Sequence, residues 1–146
     1  MTASAAYMMW QSVRAEINGW EWAFIRAGIS IYTGWLTSAT ILNFTATLKE
    51  FEFNGFDWYS EEDITITVAW VAFAIYTLAS YIELNPLYGA VFIWVAVAIR
   101  NEILTVIPEY TTLLEQVEII GLIHSLSMTA LTAYLSSEAI NVCKAT

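Results

Sequence analysis

The chain has 146 residues, of which 58% are hydrophobic and 13% charged, and its formal net charge is −9. A soluble domain of this size carries roughly a quarter charged residues, so the deficit, with a mean hydropathy of +0.58, places the chain in the membrane class. The negative balance speaks against nucleic acid as a partner and against electrostatic docking on anionic lipid, and the lone cysteine, Cys143, excludes an internal disulfide.

Residues 1–25 mix Tyr7, Met9, Trp10, Ile17 and Trp20 with Arg14, Glu16 and Glu21. The mixture is too polar to span a bilayer and too apolar to leave it. It predicts an interfacial amphipathic segment, broken at Asn18-Gly19, that leads into the first span. No basic stretch followed by an apolar run marks a cleavable secretory signal. Residues 27–48, AGISIYTGWLTSATILNFTATL, carry no charge and are closed by Arg26 on one side and by Lys49 and Glu50 on the other. That predicts a membrane helix over 26–48. Ser30, Gly34 and Ser38 recur every four residues, share one face and admit a close neighbour. Thr33, Thr37, Thr40 and Asn43 form an adjacent polar stripe.

Residues 49–63, KEFEFNGFDWYSEED, read as an aqueous loop with a turn at Asn54-Gly55, its rings toward the headgroups and its carboxylates toward water. Ser60 is placed as an N-cap, with Glu61, Glu62 and Asp63 in the first turn of the helix that follows. The second membrane helix is expected over 64–82 and the third over 87–104. The short link between them holds Pro86, which fits a first helical turn, and Asn85, placed to cap it, so the two helices form an antiparallel hairpin. Pro108 breaks the chain, and Thr111 or Thr112 opens a last helix over 112–136, followed by a polar tail. The fold class expected is therefore all-α: an integral membrane bundle of four transmembrane helices plus an N-terminal interfacial segment, in one membrane domain. Arg14, Arg26 and Lys144 fall on one side and Lys49 and Arg100 on the other, a bias of one residue toward cytoplasmic or matrix-side termini.

Among the candidate functional residues, His124 lies within the last helix, where an ionisable side chain marks a site by default. Axial ligation of a tetrapyrrole is one reading; a neutral, hydrogen-bonded histidine between helices is the other, favoured because no second histidine exists. Glu115 and Glu118 share a face and begin a polar stripe. They fit either a proton or cation path or an acidic first turn held by the helix dipole. Gly121, Ser125, Thr129 and Ala133 repeat every four residues as a second close-packing face. Arg26 and Arg100 flank spans and are expected to reach lipid phosphate, with a buried pair to Glu83 or Glu102 as the alternative. Trp35, Trp70 and Trp94 lie inside spans, where they line a ligand pocket or else fill space and touch lipid.

The string SIYTGWLTSATILN (30–43) resembles a signature of tryptophan-rich membrane proteins related to TSPO, through Ser30, Ile31, Tyr32, Gly34, Trp35, Ala39, Thr40 and Asn43. Trp70 in the second helix and Trp94 in NPLYGAVFIWVAVAI (85–99) fit the same group, and the resemblance covers about residues 22–104. It implies a helical bundle resembling the C-terminal half of longer relatives, whose Pro/Gly-rich N-terminal helix pair has no counterpart here. It also implies a pocket for a hydrophobic ligand, a sterol, lipid or tetrapyrrole, built around Tyr32, Trp35, Asn43, Trp70 and Trp94.

No nucleophile–base pair, phosphate-cradling loop or Cys/His metal spacing is present, so an enzyme is not expected. Neither a metal nor a cofactor is called for, beyond bound lipid or the tetrapyrrole that the resemblance allows. The leading expectation is an accessory or structural subunit packed within a larger membrane assembly, with membrane lipids and other subunits, or further copies of itself, as partners. A TSPO-like ligand binder follows, and a proton or ion transporter comes last. A mitochondrial membrane is one address compatible with this reading.

Overall fold

The computed structural model describes residues 1–15, 19–50 and 60–145, and the described residues contain helices and no strand. α1 spans Thr2–Arg14. α2, a single turn over Gly19–Glu21, runs through a π-helical turn, Trp22–Arg26, into α3, Ala27–Glu50. Then come α4, Glu61–Ile82, α5, Pro86–Val106, and α6, Thr111–Ala145. The aromatic-acidic stretch 51–59 with its expected Asn54-Gly55 turn, and Asn18 of the expected break, lie outside the described residues.

The local chemistry sets several helix ends. Ser60 and Asp63 form a reciprocal capping box: each accepts the other's backbone N–H at 3.1 Å. Pro86 occupies the first turn of α5, where its missing N–H costs nothing. Asn85 stands at the N-cap position, yet its side chain makes no capping bond; it is used elsewhere, as described below. The start of α6 is capped from a distance, by Glu62 Oε1 accepting the Leu113 N–H at 2.7 Å. α6 runs on to Ala145, past the expected end near 136.

α5 is the central helix, packed against α3, α4 and α6. α3 runs parallel to it, while α4 and α6 run antiparallel, so one end of the bundle gathers the starts of α3 and α5 with the end of α4. The opposite end gathers the ends of α3 and α5 with the starts of α4 and α6. One core cluster joins Met9, Ala72, Tyr76, Tyr88, Val91, Phe92 and Ile120, and a second joins Ala96, Ile103, Leu113 and Val117.

Two expectations are corrected here. The N-terminal segment does not lie apart along an interface. α1 packs antiparallel on α3, burying Ala5, Met9 and Ser12. Thr33 Oγ1 donates to the Ala5 carbonyl at 3.2 Å, and the hydroxyls of Thr2 and Thr40 meet at 2.6 Å. The small seam of α1 and the hydroxyl stripe of α3 satisfy one another, which an isolated reading of either segment misses. The second correction concerns the number of spans. Among the described residues, three helices rather than four are long and apolar enough to cross a membrane, Glu61–Ile82, Pro86–Val106 and Thr111–Asn141. α3 has the length, with 24 residues. Its many Ser, Thr and Asn side chains dilute its hydropathy, and most of those hydroxyls bond back to its own carbonyls, as Thr37 and Thr40 do to Thr33 and Leu36.

Candidate functional site

Where α3 and α5 begin, the helices close on a polar knot. Ser30 is fully buried, donates to the Arg26 carbonyl at 2.6 Å and accepts from Asn85 Nδ2 at 2.7 Å. Asn85 thus joins the α4–α5 turn to α3. Gly34 lets α3 approach α5: a Cβ built on it would stand 2.7 Å from Val91 Cγ2 and 3.2 Å from the Tyr88 carbonyl oxygen. Gly89 does the same between α5, α4 and α6, since a Cβ there would collide with Met128 Sδ and Ser80 Oγ. His124, with 0% of its surface exposed, links three helices. Its Nε2 sits 2.9 Å from the Gly89 carbonyl, which can only accept, so Nε2 carries the proton. Nδ1 then accepts from Thr77 Oγ1 at 2.9 Å.

Toward the opposite end, the same helices separate and leave a half-open cavity of about 850 Å³ between them. α3 contributes a wall from Ser38 to Ala46, α4 one from Glu61 to Tyr76, and α5 one from Phe92 to Ile99. Ile107, Tyr110 and the first turns of α6, up to Ile120, complete it. Because the four helices alternate in direction, Ser38, Tyr76, Phe92 and Ile120 form its inner end, and Ala46, Glu61, Tyr110 and Leu113 its outer end. Most of the lining is aliphatic. Tyr76 is the polar feature of the inner end: its hydroxyl donates to the Gly34 carbonyl and lies 2.5 Å from Ser38 Oγ.

The residues expected to form a ligand pocket are not those that line this cavity. Tyr32, Trp35, Asn43, Trp70 and Trp94 are all exposed on the outside of the chain. Trp35 and Trp94 meet edge to face at 5.6 Å on the outer surface of α3 and α5. Trp70 packs on Phe73 and donates to Gln116 Oε1 at 3.1 Å. The reason is geometric. With Ser30, Gly34 and Ser38 turned inward, Tyr32 and Asn43 fall on the opposite face and Trp35 on the flank, where it meets Trp94.

Of the two expected packing faces, Ser30, Gly34 and Ser38 lie together against α5 and α4. Gly121, Ser125 and Thr129 do so only in part, Gly121 and Ser125 being half-buried beside α5. A Cβ on Gly121 would stand 3.5 Å from Ala96 Cβ, an ordinary contact, and Thr129 is exposed. The inward face of α6 is instead Leu113, Val117, Ile120, His124, Met128 and Leu131, a stripe at helical spacing whose large residues gave no close-packing signal. Glu115 is exposed and His124 buried. With Glu118 bound to Arg100, the three do not assemble into a path.

Both arginines have partners within the chain. Arg26 donates to the carbonyls of Ser12, Val13 and Ala15 at 2.5 to 3.3 Å, satisfying the open C-terminal turn of α1. Arg100 Nε pairs with Glu118 Oε1 at 2.7 Å on the surface. Glu83, considered as a partner for either arginine, pairs with Arg14 at 2.8 Å. Sequence reasoning missed Tyr76, Gly89 and the pairing role of Asn85. A clue was present in Ser80, Asn85 and Gly89, small or polar residues flanking one tight turn.

A search of curated proteins and a search of solved structures found no match. A protein-family model described as TSPO-like protein matches residues 1–134, well beyond the 22–104 stretch carrying the sequence resemblance. This helical membrane protein therefore belongs to the TSPO-like family.

Proposed function

We propose that the chain is a non-enzymatic membrane protein that binds a hydrophobic small molecule in the cavity between α3, α4, α5 and α6. The observation that carries this reading is the cavity itself. Its volume of about 850 Å³ falls within the range of small-molecule sites, roughly 300–1,000 Å³. Its walls are mainly aliphatic, with few polar groups, the pattern that buries an apolar ligand and orients it at one point. Membership of a family related to TSPO, which binds hydrophobic ligands, supports the same reading.

The test is titration of the detergent-purified chain with an environment-sensitive apolar dye. Val68 lines the cavity but belongs to neither core cluster. Val68→Trp should intrude on the space and reduce dye affinity. Leu78→Trp, at an exposed position on the same helix, should leave it unchanged. Equal binding by both variants would refute the reading.

The assembly-subunit reading stands second. Its first support is consumed inside the chain, because Ser30, Gly34 and Ser38 pack on α5 and α4. What still favours it is the side of α6 bearing Ser125 and Thr129, which no helix of the described residues covers fully. A Ser125→Leu variant that no longer co-migrates with partner subunits in mild detergent would favour this second reading.

A further inference from the structure

A groove of about 270 Å³ runs between α5 and α6. Ile93, Val97 and Leu122 make it apolar, and the exposure of Val97 and Leu122 opens it to the outside. Because the two helices are antiparallel, Ile93 and Ser125 stand at one end of the groove and the Arg100–Glu118 ion pair at the other. Arg100 Nε donates to Glu118 Oε1 at 2.7 Å, and the two side chains are 45% and 47% exposed. Among the described residues, neither terminal guanidinium nitrogen of Arg100 has a hydrogen-bond partner, nor has Oε2 of Glu118. α5 and α6 are both long and apolar enough to cross a membrane. Arg100 precedes the α5 end at Val106, and Glu118 follows the α6 start at Thr111, so each lies about 9–10 Å inside its helix end at 1.5 Å rise per residue. Charges at such a depth are costly unless a polar group reaches them. The pair is neutral as a whole, yet it leaves a cationic and an anionic edge open side by side.

We infer that this groove binds a zwitterionic phospholipid with a primary-ammonium headgroup, of the phosphatidylethanolamine kind. One acyl chain lies along Ile93, Val97 and Leu122, the phosphate accepts from the terminal nitrogens of Arg100, and the ammonium donates to Oε2 of Glu118. Charge complementarity selects this occupant. An anionic headgroup would satisfy Arg100 alone, and this end of the bundle carries Glu61, Glu62, Asp63, Glu102, Glu109 and Glu115, which repel it. A choline headgroup has no N–H to give the carboxylate. The site does not depend on the cavity reading, since Ile93, Val97, Arg100, Glu118 and Leu122 do not line the cavity.

The test is native mass spectrometry of the full chain in mild detergent, titrated with phosphatidylethanolamine, phosphatidylcholine or phosphatidylglycerol of identical acyl chains. Phosphatidylethanolamine should bind at a concentration roughly five- to tenfold lower than the other two, the effect of one hydrogen bond to a charged group. Glu118→Leu removes the acceptor and should erase the preference over phosphatidylcholine. Arg100→Leu should weaken phosphatidylethanolamine and phosphatidylcholine alike. Arg14→Gln breaks the pair with Glu83 at the other end of the bundle and should leave all three titrations unchanged. Equal binding of the three lipids by the unmodified chain would overturn the inference, and so would a preference that persists in Glu118→Leu. A dimeric mass that retains no lipid and is lost in Ser125→Leu would mean that a second copy fills the groove, and the lipid assignment would fall.

Discussion

The two halves of the bundle use the same four helices to opposite ends. In the half with the α4–α5 turn, Gly34 and Gly89 remove side chains from the helix crossings, and Ser30, Asn85, Thr77 and His124 fasten the backbones brought together. In the other half, the same helices stand apart and a cavity remains, lined by Ile41, Val68, Val95 and Ile99 among others. Missing side chains at Gly34 and Gly89 are what let the helices meet in the first half. Without a hydrophobic force between helices in lipid, close approach and hydrogen bonds are what hold them. One half therefore behaves as a clamp and the other as a container.

The contrast is tested most severely by adding bulk to the clamp. Gly34→Leu should force α3 off α5, since even a Cβ there meets Val91 and the Tyr88 carbonyl. A loss of more than about 3 kcal/mol is expected, visible as aggregation or a collapsed midpoint in detergent unfolding. Gly89→Ala adds one methyl against Met128 and Ser80. Overpacking of about 1–3 kcal/mol, offset by up to about 1 kcal/mol of helix propensity, leaves a smaller but measurable net loss. His124→Leu removes two interhelical bonds while keeping bulk, and should cost about 1–2 kcal/mol in the same measurement. In the container, Val68→Trp should change stability by less than about 1 kcal/mol, because added volume enters empty space. At the small end stands Arg100→Ala, which breaks a surface pair and should shift the midpoint by about 0.5 kcal/mol or less. If Val68→Trp proved as disruptive as Gly34→Leu, the distinction between the halves would fail.

The clamp was more legible in the sequence than the container. Ser30, Gly34 and Ser38 announce a close crossing because small residues at a four-residue spacing leave few other uses. The same rule says less on α6, where Gly121 meets Ala96 of α5 only at an ordinary contact distance and Thr129, at the same spacing, is exposed. Periodicity reports that a face exists and does not report what lies opposite. Arg26 read as a lipid anchor because a charge beside a span snorkels by default. Its actual partners are the carbonyls of Ser12, Val13 and Ala15, brought near only when α1 folds back on α3. The cavity could not be read at all, since it is the space left between four helices and belongs to no motif. Its displacement from the tryptophans was nonetheless implicit. Once the Ser30–Gly34–Ser38 face is turned inward, Tyr32 and Asn43 fall on the opposite side of α3 and Trp35 on its flank.

The most direct measurement is photolabelling with a hexadecanol analogue that carries a diazirine at the end of its chain, followed by peptide mapping. With the molecule lying along the cavity, one of its ends reaches the outer part. Adducts should then concentrate on Leu42, Thr45 and Ala46 of α3 and on Ile64 and Thr65 of α4. They should fade when unlabelled 1-hexadecanol is added. Adducts confined to the outward-facing Trp35, Leu78 and Trp94, undiminished by the competitor, would mean that the molecule meets apolar compounds only at its lipid-facing surface, and the cavity would have no claim to function.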